Sequence, residues 1–362
     1  MLTRADIDAG DAHRELRAMG WTDGLPVVPP TVERVEAAVA AVAHLGFAAD
    51  DALGVMPPAQ AIVTVEKVAV CAVLAGCEPD AMPVVVTAVR AVLHADFRVA
   101  SVQSSTSPAS PFLVVDGDVA HAAGMASADG CFGPGAGSNM AIGRAVRLVM
   151  ALVGAARAGA GDPSTLGMPA KVGACVAERE DASPWPSLAV RRGLDGALGA
   201  VSVFAITGTW QISEASGAPQ DVAHQILHGM ISPGQCSQPR LPQSGEQILL
   251  LSPPIAALLA TRFPEAVDVQ HALFEAVRIP LDWVPPFKRS ATLDRLAELD
   301  LAWDGRMVPV AEDAQAFVVL VAGGDAGIQS MGMSTLTLSR SVTLPVAGLS
   351  GDGAAVARAA SG

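Results

Sequence analysis

The chain has 362 residues, 51% of them hydrophobic and only 16% charged, with a net charge of −13. That length exceeds what one ordinary core holds, and the composition is far from the disordered regime, so two tightly joined globular lobes are expected. The acidic balance disfavours nucleic acid or an anionic membrane as partner, since both demand a basic footprint, but leaves room for a local basic pocket.

From the N-terminus, Met1-Leu2-Thr3-Arg4-Ala5-Asp6 puts charge where a secretory segment would carry an apolar core. Residues 11–20 suit a short helix. The prolines of Gly20-Trp21-Thr22-Asp23-Gly24-Leu25-Pro26-Val27-Val28-Pro29-Pro30-Thr31 then impose extended backbone. Thr31 is placed as an N-cap, with Val32, Val35 and Val39 at helical spacing through about Ala43. Further helices are predicted over Val65–Ala75, stopped by Gly76, and over Met82–Leu93, with Pro83 in the first turn. Val99–Gln103 and Phe112–Val115 read as strands, the second ended by Asp116-Gly117-Asp118.

A glycine-rich loop from Gly124 to Ser138 leads into a predicted helix from Asn139 to about Arg157. The stretch Met140–Gly161 is the nearest approach to a membrane span, and Arg144, Arg147 and Arg157 break it. Beyond it, Lys171–Ala177, Ala200–Thr207, Gln247–Leu251, Phe317–Ala322 and Ser341–Pro345 read as strands. Asp221–Met230, Pro253–Thr261 and Val269–Val277 read as helices, and Gly353 onward as a frayed tail. Alternating helices and strands in both halves give an α/β fold of two tightly associated lobes with mixed sheets flanked by helices. The Gly-Asp-Pro break near 162 divides an N-terminal lobe, 1–162, from a C-terminal lobe, 163–350, and a tail, 351–362. Five cysteines, an odd number without close pairing, suit a reducing compartment, and the cytoplasm is the expected location.

Candidate chemistry gathers at predicted element ends. Cys77, in Ala75-Gly76-Cys77-Glu78-Pro79, lies between two helices, where unpaired N–H groups favour a thiolate while Glu78 opposes it. Free cysteines are more often packing residues, the reading that fits Cys71 and Cys175. The glycine loop around Cys131 offers backbone N–H groups for an anion at the start of the next helix, helped by Ser138, Asn139, Arg144 and Arg147; the alternative is a long surface turn. Glu178-Arg179-Glu180-Asp181-Ala182-Ser183-Pro184-Trp185 follows a strand, where open α/β folds place function. Glu178 or Glu180 would serve as base and Trp185 as a pocket wall, against the alternative of a solvated turn. His121 is an acid–base candidate or a cap. His224 and His228 share a helix face but lack a third ligand, so no metal and no cofactor are assigned.

Four segments together resemble the large proteins associated with the UGSC-type (seleno)protein family. They are the Gly20–Thr31 stretch, Ala75–Pro79, Asn139-Met140-Ala141-Ile142-Gly143-Arg144-Ala145-Val146-Arg147-Leu148, and Glu178 to Trp185. The likeness runs from about residue 15 to 346. It implies a thiol or selenol redox setting, with a small redox protein as partner. The chain itself carries no Gly-Ser-Cys motif, and Arg179 and Cys131 depart from the pattern. The leading expectation is a lyase-type enzyme, eliminating or hydrating a small carboxylate-bearing metabolite, or a thiol-dependent cleavage, in a homo-oligomer. The alternative is a non-catalytic substrate-binding subunit of a thiol or selenol redox system. A metal-dependent lyase would rest on His224 and His228 alone.

Overall fold

The computed structural model describes residues 11–194, 198–214, 217–232, 234, 238, 240–327, 329–347 and 356–357. Several helices begin and end where their local chemistry dictates. Thr31 accepts the Arg34 N–H and opens Val32–Ala40, and Thr64 accepts the Lys67 N–H and opens Val65–Ala75. That second helix stops at Gly76, which adopts the left-handed conformation at φ 89° that glycine tolerates best. Met82–Leu93 follows, with nine of its twelve residues buried.

The sheet is built on one long strand, Ala200–Ser213. Its first half pairs antiparallel with Ser110–Asp116, from Ser110 opposite Ile206 to Asp116 opposite Ala200, and with Val342–Pro345. Its second half pairs antiparallel with Gln329–Thr335, which in turn pairs with Gln247–Leu251. Two parallel pairs complete the sheet: Cys175–Ala177 beside Ser110–Asp116, and Phe317–Val321 beside Gln247–Leu251. The Arg179 N–H donates to Val321 O at 2.8 Å, tying the end of one outer strand to the end of the other. The mixed sheet therefore curls on itself, with helices around it.

Strand alternation then sorts the apolar residues into three cores. Phe112, Val114, Val176, Phe204, Ile248 and Leu320 fill the inside of the curl. Leu113, Val115, Cys175, Ala177, Val201 and Val203 face outward beneath the N-terminal helices. Leu249, Leu251, Phe317, Val319 and Val321 face outward beneath the C-terminal ones. Because strands from both sides of residue 162 enter the same sheet, the expected division into two lobes is not established. Within the expected tail, Val356–Ala357 pair antiparallel with Val342 and Thr343, and the rest lies outside the described residues. Among the described residues no helix is long and apolar enough to cross a membrane.

The structure corrects three sequence assignments. Val99–Gln103 is not a strand but the start of a helix, Val99–Ser104, that buries Val99, Val102 and Gln103. The 99/102 spacing serves one helix face, and packing there overrides the β preference of valine. Only Cys175–Ala177 of the predicted 171–177 strand is extended, and Pro169–Lys171 forms a tight helical turn. The helix from Asn139 keeps ordinary geometry to Leu148, widens to a π turn over Val149–Val153 and ends at Gly154, short of Arg157.

That helix crosses the Cys175 strand at close range. A Cβ on Gly143 would lie 2.6 Å from Ala174 N, and one on Gly173 would lie 2.6 Å from Arg144 N. Backbone cannot yield as a flexible side chain does. Gly143→Ala is therefore expected to lower stability by ~1–2 kcal/mol net of its gain in helix propensity, read as a lower denaturant midpoint at unchanged slope.

Candidate functional site

The Cys175–Ala177 strand divides the candidate residues between its two faces. Glu178 continues the ladder, its N–H donating to Val115 O at 2.8 Å, so its side chain has the inward parity of Ala174 and Val176. Asp116 has the inward parity of Phe112 and Val114. Cys77 packs against the outer cluster that contains Cys175 and Ala177. The thiol and the carboxyl groups expected to work together are thus on opposite sides of the sheet.

On the inner side, Ser187 caps the short helix Leu188–Arg191. That turn presents its N–H groups to two buried carboxyls. Leu188 donates to Glu178 Oε2 at 2.9 Å, and Ala189 donates to Asp116 Oδ2 at 3.2 Å. Ala200 donates to Asp116 Oδ1, also at 3.2 Å. Exposed Glu180 reaches the same corner, where its Oε1 accepts the Gly117 N–H at 2.5 Å. The Arg191 guanidinium stands 3.8 Å from Glu178 Oε1 and donates to Val319 O.

Desolvation controls this group. Burial pushes Asp116 up to about 7; the N–H donors of Ala189 and Ala200 and the Arg191 charge oppose it, and Glu180 adds to it. Burial likewise pushes Glu178 up to about 7, opposed by Arg191 and the Leu188 N–H and reinforced by Asp116 and Glu180. Beside them, Arg179 grips Asp325 with two parallel bonds of 3.0 and 3.1 Å and also donates to Gly323 O. The glycine turn after Phe317–Val321 therefore meets the Glu178–Trp185 segment, and Gly323 N–H donates to Ser127 O of the glycine-rich loop.

On the outer side, Arg144 does not offer a free guanidinium. It holds Asp23 through Nε–Oδ2 at 2.8 Å and Nη2–Oδ1 at 2.7 Å, and donates to Pro26 O. Burial works to raise Asp23, but the hydrogen bond and charge of Arg144 outweigh it, and its carboxyl ends below the usual value. This ion pair joins the Gly20–Thr31 stretch to the helix that begins at Asn139. The Cys77 thiol is pushed up to about 12, first by desolvation and then by Glu78, with Arg144 opposing. It is a neutral S–H at ordinary pH, not the thiolate that a helix-end position suggested.

Several of the remaining candidates make structural contacts. Buried Asn139 accepts from Ala126 N–H and donates to the carbonyls of Ala126 and Cys131, and Ser138 donates to Ala123 O, so both engage the glycine loop itself. Arg147 is buried beside Asp162, which also pairs with Lys171 at 2.7 Å. Trp185 sits in the C-terminal outer core and donates to Phe263 O at 3.1 Å. His121 is exposed on the last turn of Asp118–Ala122. His224 and His228 stack at 4.2 Å, and no group of three or more metal-ligating side chains is found among the described residues.

Sequence reasoning passed over Asp116 and Arg191 and gave Arg179 no role. Asp116 was legible as a carboxylate ending a strand, but the Asp-Gly-Asp run also reads as a plain turn. Nothing local marked Arg191, whose guanidinium reaches Glu178 and Val319 O across the sheet as well as nearby Pro186 O. The chain matches no protein-family model and no curated protein.

Two measurements follow from this geometry. Folded Glu178 keeps its proton to about 7, whereas an unfolded glutamate keeps it only to about 4.3. The folded state binds more protons in that window, so its contribution is complete below about 4 and lost as pH rises through about 7. Glu178→Gln is expected to flatten the fall of stability across that window by as much as ~1.4 kcal/mol per pH unit, measured by urea denaturation at successive pH values. Arg144→Ala is expected to destabilise by ~1–3 kcal/mol, because it strands a half-buried Asp23. Arg144→Lys should recover only part of that loss, since an ammonium cannot reproduce the two-point contact.

Proposed function

We propose that this chain is an enzyme that eliminates water from, or adds it to, a small carboxylate-bearing molecule, with Asp116, Glu178 and Glu180 moving the proton. One observation carries the reading. Two carboxyls at the ends of adjacent parallel strands are poised near neutrality, and a third, exposed carboxylate stands at their mouth. Proton transfer is most effective when the catalytic group titrates near working pH. Perturbed carboxyls at strand ends are where such work is found in α/β proteins.

In this reading exposed Glu180 meets the substrate, and Asp116 and Glu178 behind it take up or return the proton. Arg179 takes the substrate carboxylate. It already holds a carboxylate in two-point geometry, that of Asp325, whose side chain is 68% exposed and stands on a glycine turn. A substrate carboxylate would replace Asp325 there. The reading calls on side chains alone.

A second reading has one observation in its favour. Burial raises all four described cysteines, so none of them is a thiolate at neutral pH. Thiol chemistry of the kind the family resemblance implies would then come from a partner, with this chain presenting the substrate.

The test is proton NMR of the isolated protein in D2O with a panel of small hydroxy acids and their unsaturated counterparts. The enzyme reading expects deuterium incorporation or water addition on at least one acid, slowed about 100-fold or more in Glu180→Gln. Unchanged rates in both Glu180→Gln and Glu178→Gln would remove the carboxyls from the chemistry. Binding without turnover, with turnover restored by a co-purifying thiol protein, would establish the second reading instead.

A further inference from the structure

The cavity beside Cys77 lies on the outer side of the sheet, away from the Asp116–Glu178–Glu180 group. Its volume is about 240 Å³. That is below the ~300 Å³ at which pockets for drug-sized ligands begin, and equals about eight waters at ~30 Å³ each. Val28, Ala37 and Val73 give it an apolar floor, Cys77 a thiol wall, and Arg34 and Glu78 bring opposite charges to it.

Those two charges line one small space without an ion-pair partner for either among the described residues. Arg144, Arg147, Arg179, Arg191 and Arg295 each face a carboxylate. Arg34 donates through Nη1 to Pro29 O at 3.0 Å, and among the described residues no carboxylate pairs with it. Glu78 holds no cation among the described residues, and the two do not pair with each other although both line one small space. Opposite charges held apart across an apolar floor complement a ligand with a negative group at one end and a positive group at the other.

The walls are fixed in advance. Thr31 caps the helix that carries Arg34, and Val28 N–H donates to Leu74 O at 3.2 Å, pinning the extended stretch onto the end of Val65–Ala75. Left-handed Gly76 turns the chain, and Cys77 N–H donates back to Ala72 O at 2.9 Å. A preformed site loses little ordering entropy on binding.

We propose that this cavity binds a small zwitterionic amino acid, its carboxylate on Arg34, its ammonium on Glu78 and its short side chain toward Cys77 and the apolar floor. The assignment is independent of the proton-transfer reading, because it concerns the other face of the sheet and is tested by binding alone.

The probes are glycine, alanine and β-alanine, with acetate and methylammonium as the two half-ligands, titrated into the full chain by calorimetry and by protein NMR. At least one amino acid should bind saturably, at least tenfold more tightly than either half-ligand. Arg34→Gln and Glu78→Gln should each weaken it tenfold or more at unchanged thermal midpoint, since both side chains are exposed. Glu178→Gln should bind as the wild type does. The bound amino acid should also slow alkylation of Cys77, the one described cysteine that is not fully buried. Three results would each overturn the assignment: no saturable binding of any probe, half-ligands binding as tightly as amino acids, or full affinity in both Arg34→Gln and Glu78→Gln.

Discussion

Fourteen residues of extended backbone in Ala200–Ser213 must find hydrogen-bond partners along both edges, and that requirement organises the molecule. No neighbouring segment is long enough to meet it. The strand therefore recruits Ser110–Asp116 from one half of the chain and Gln329–Thr335 and Val342–Pro345 from the other. Once they are paired, the twist of the sheet and the bond from Arg179 to Val321 leave an inside and an outside. Which side chains become neighbours is then a matter of parity along each strand. Asp116 faces inward because Phe112 and Val114 do, and Cys175 faces outward because Leu113 and Val115 do.

Buried charge is managed by the same architecture. Glu246, 2% exposed, accepts from the N–H and hydroxyl of Ser341 and faces Arg192, which also donates to Thr343 and Ser341 inside the sheet. Asp162 is held by Arg147 and Lys171. In such places charge is matched and contributes to a single arrangement of the fold. Asp116 and Glu178 are different. Three backbone N–H groups and one arginine do not offset their desolvation, so they hold protons to about 7. Arg34 and Glu78 differ again, standing exposed at one cavity without an oppositely charged partner for either among the described residues. Unmatched burial marks one candidate site, and opposite charges around one small cavity mark the other.

Much of the helical structure was legible from local chemistry. Val65–Ala75 stops at Gly76 and Met82–Leu93 carries Pro83 in its first turn, as read, because those signals act within one turn of the chain. Gln247–Leu251, apolar after its first residue, is found as read because a strand buried on both faces has no polar alternation to confuse. Val99–Ser104 was misread for the opposite reason: a short segment with two spaced valines satisfies a strand and a buried helix face equally, and only its neighbours choose.

The candidate residues follow the same division. The sequence by itself determined that Glu178 and Glu180 follow a strand, that Cys77 stands at a helix end, and that Arg144 lies on the helix after the glycine loop. Tertiary structure alone decided what those positions mean. Arg144 meets Asp23 across 121 residues, and Asp116 meets the Ala189 N–H across 73. Pairing at that separation is set by which faces of distant elements are pressed together, a property of the packed chain that local propensity does not carry. The caps and breaks are therefore written in the sequence, whereas the protonation of a buried carboxyl and the partner of an arginine depend on the solvent excluded around them, and that exists only once the sheet has closed.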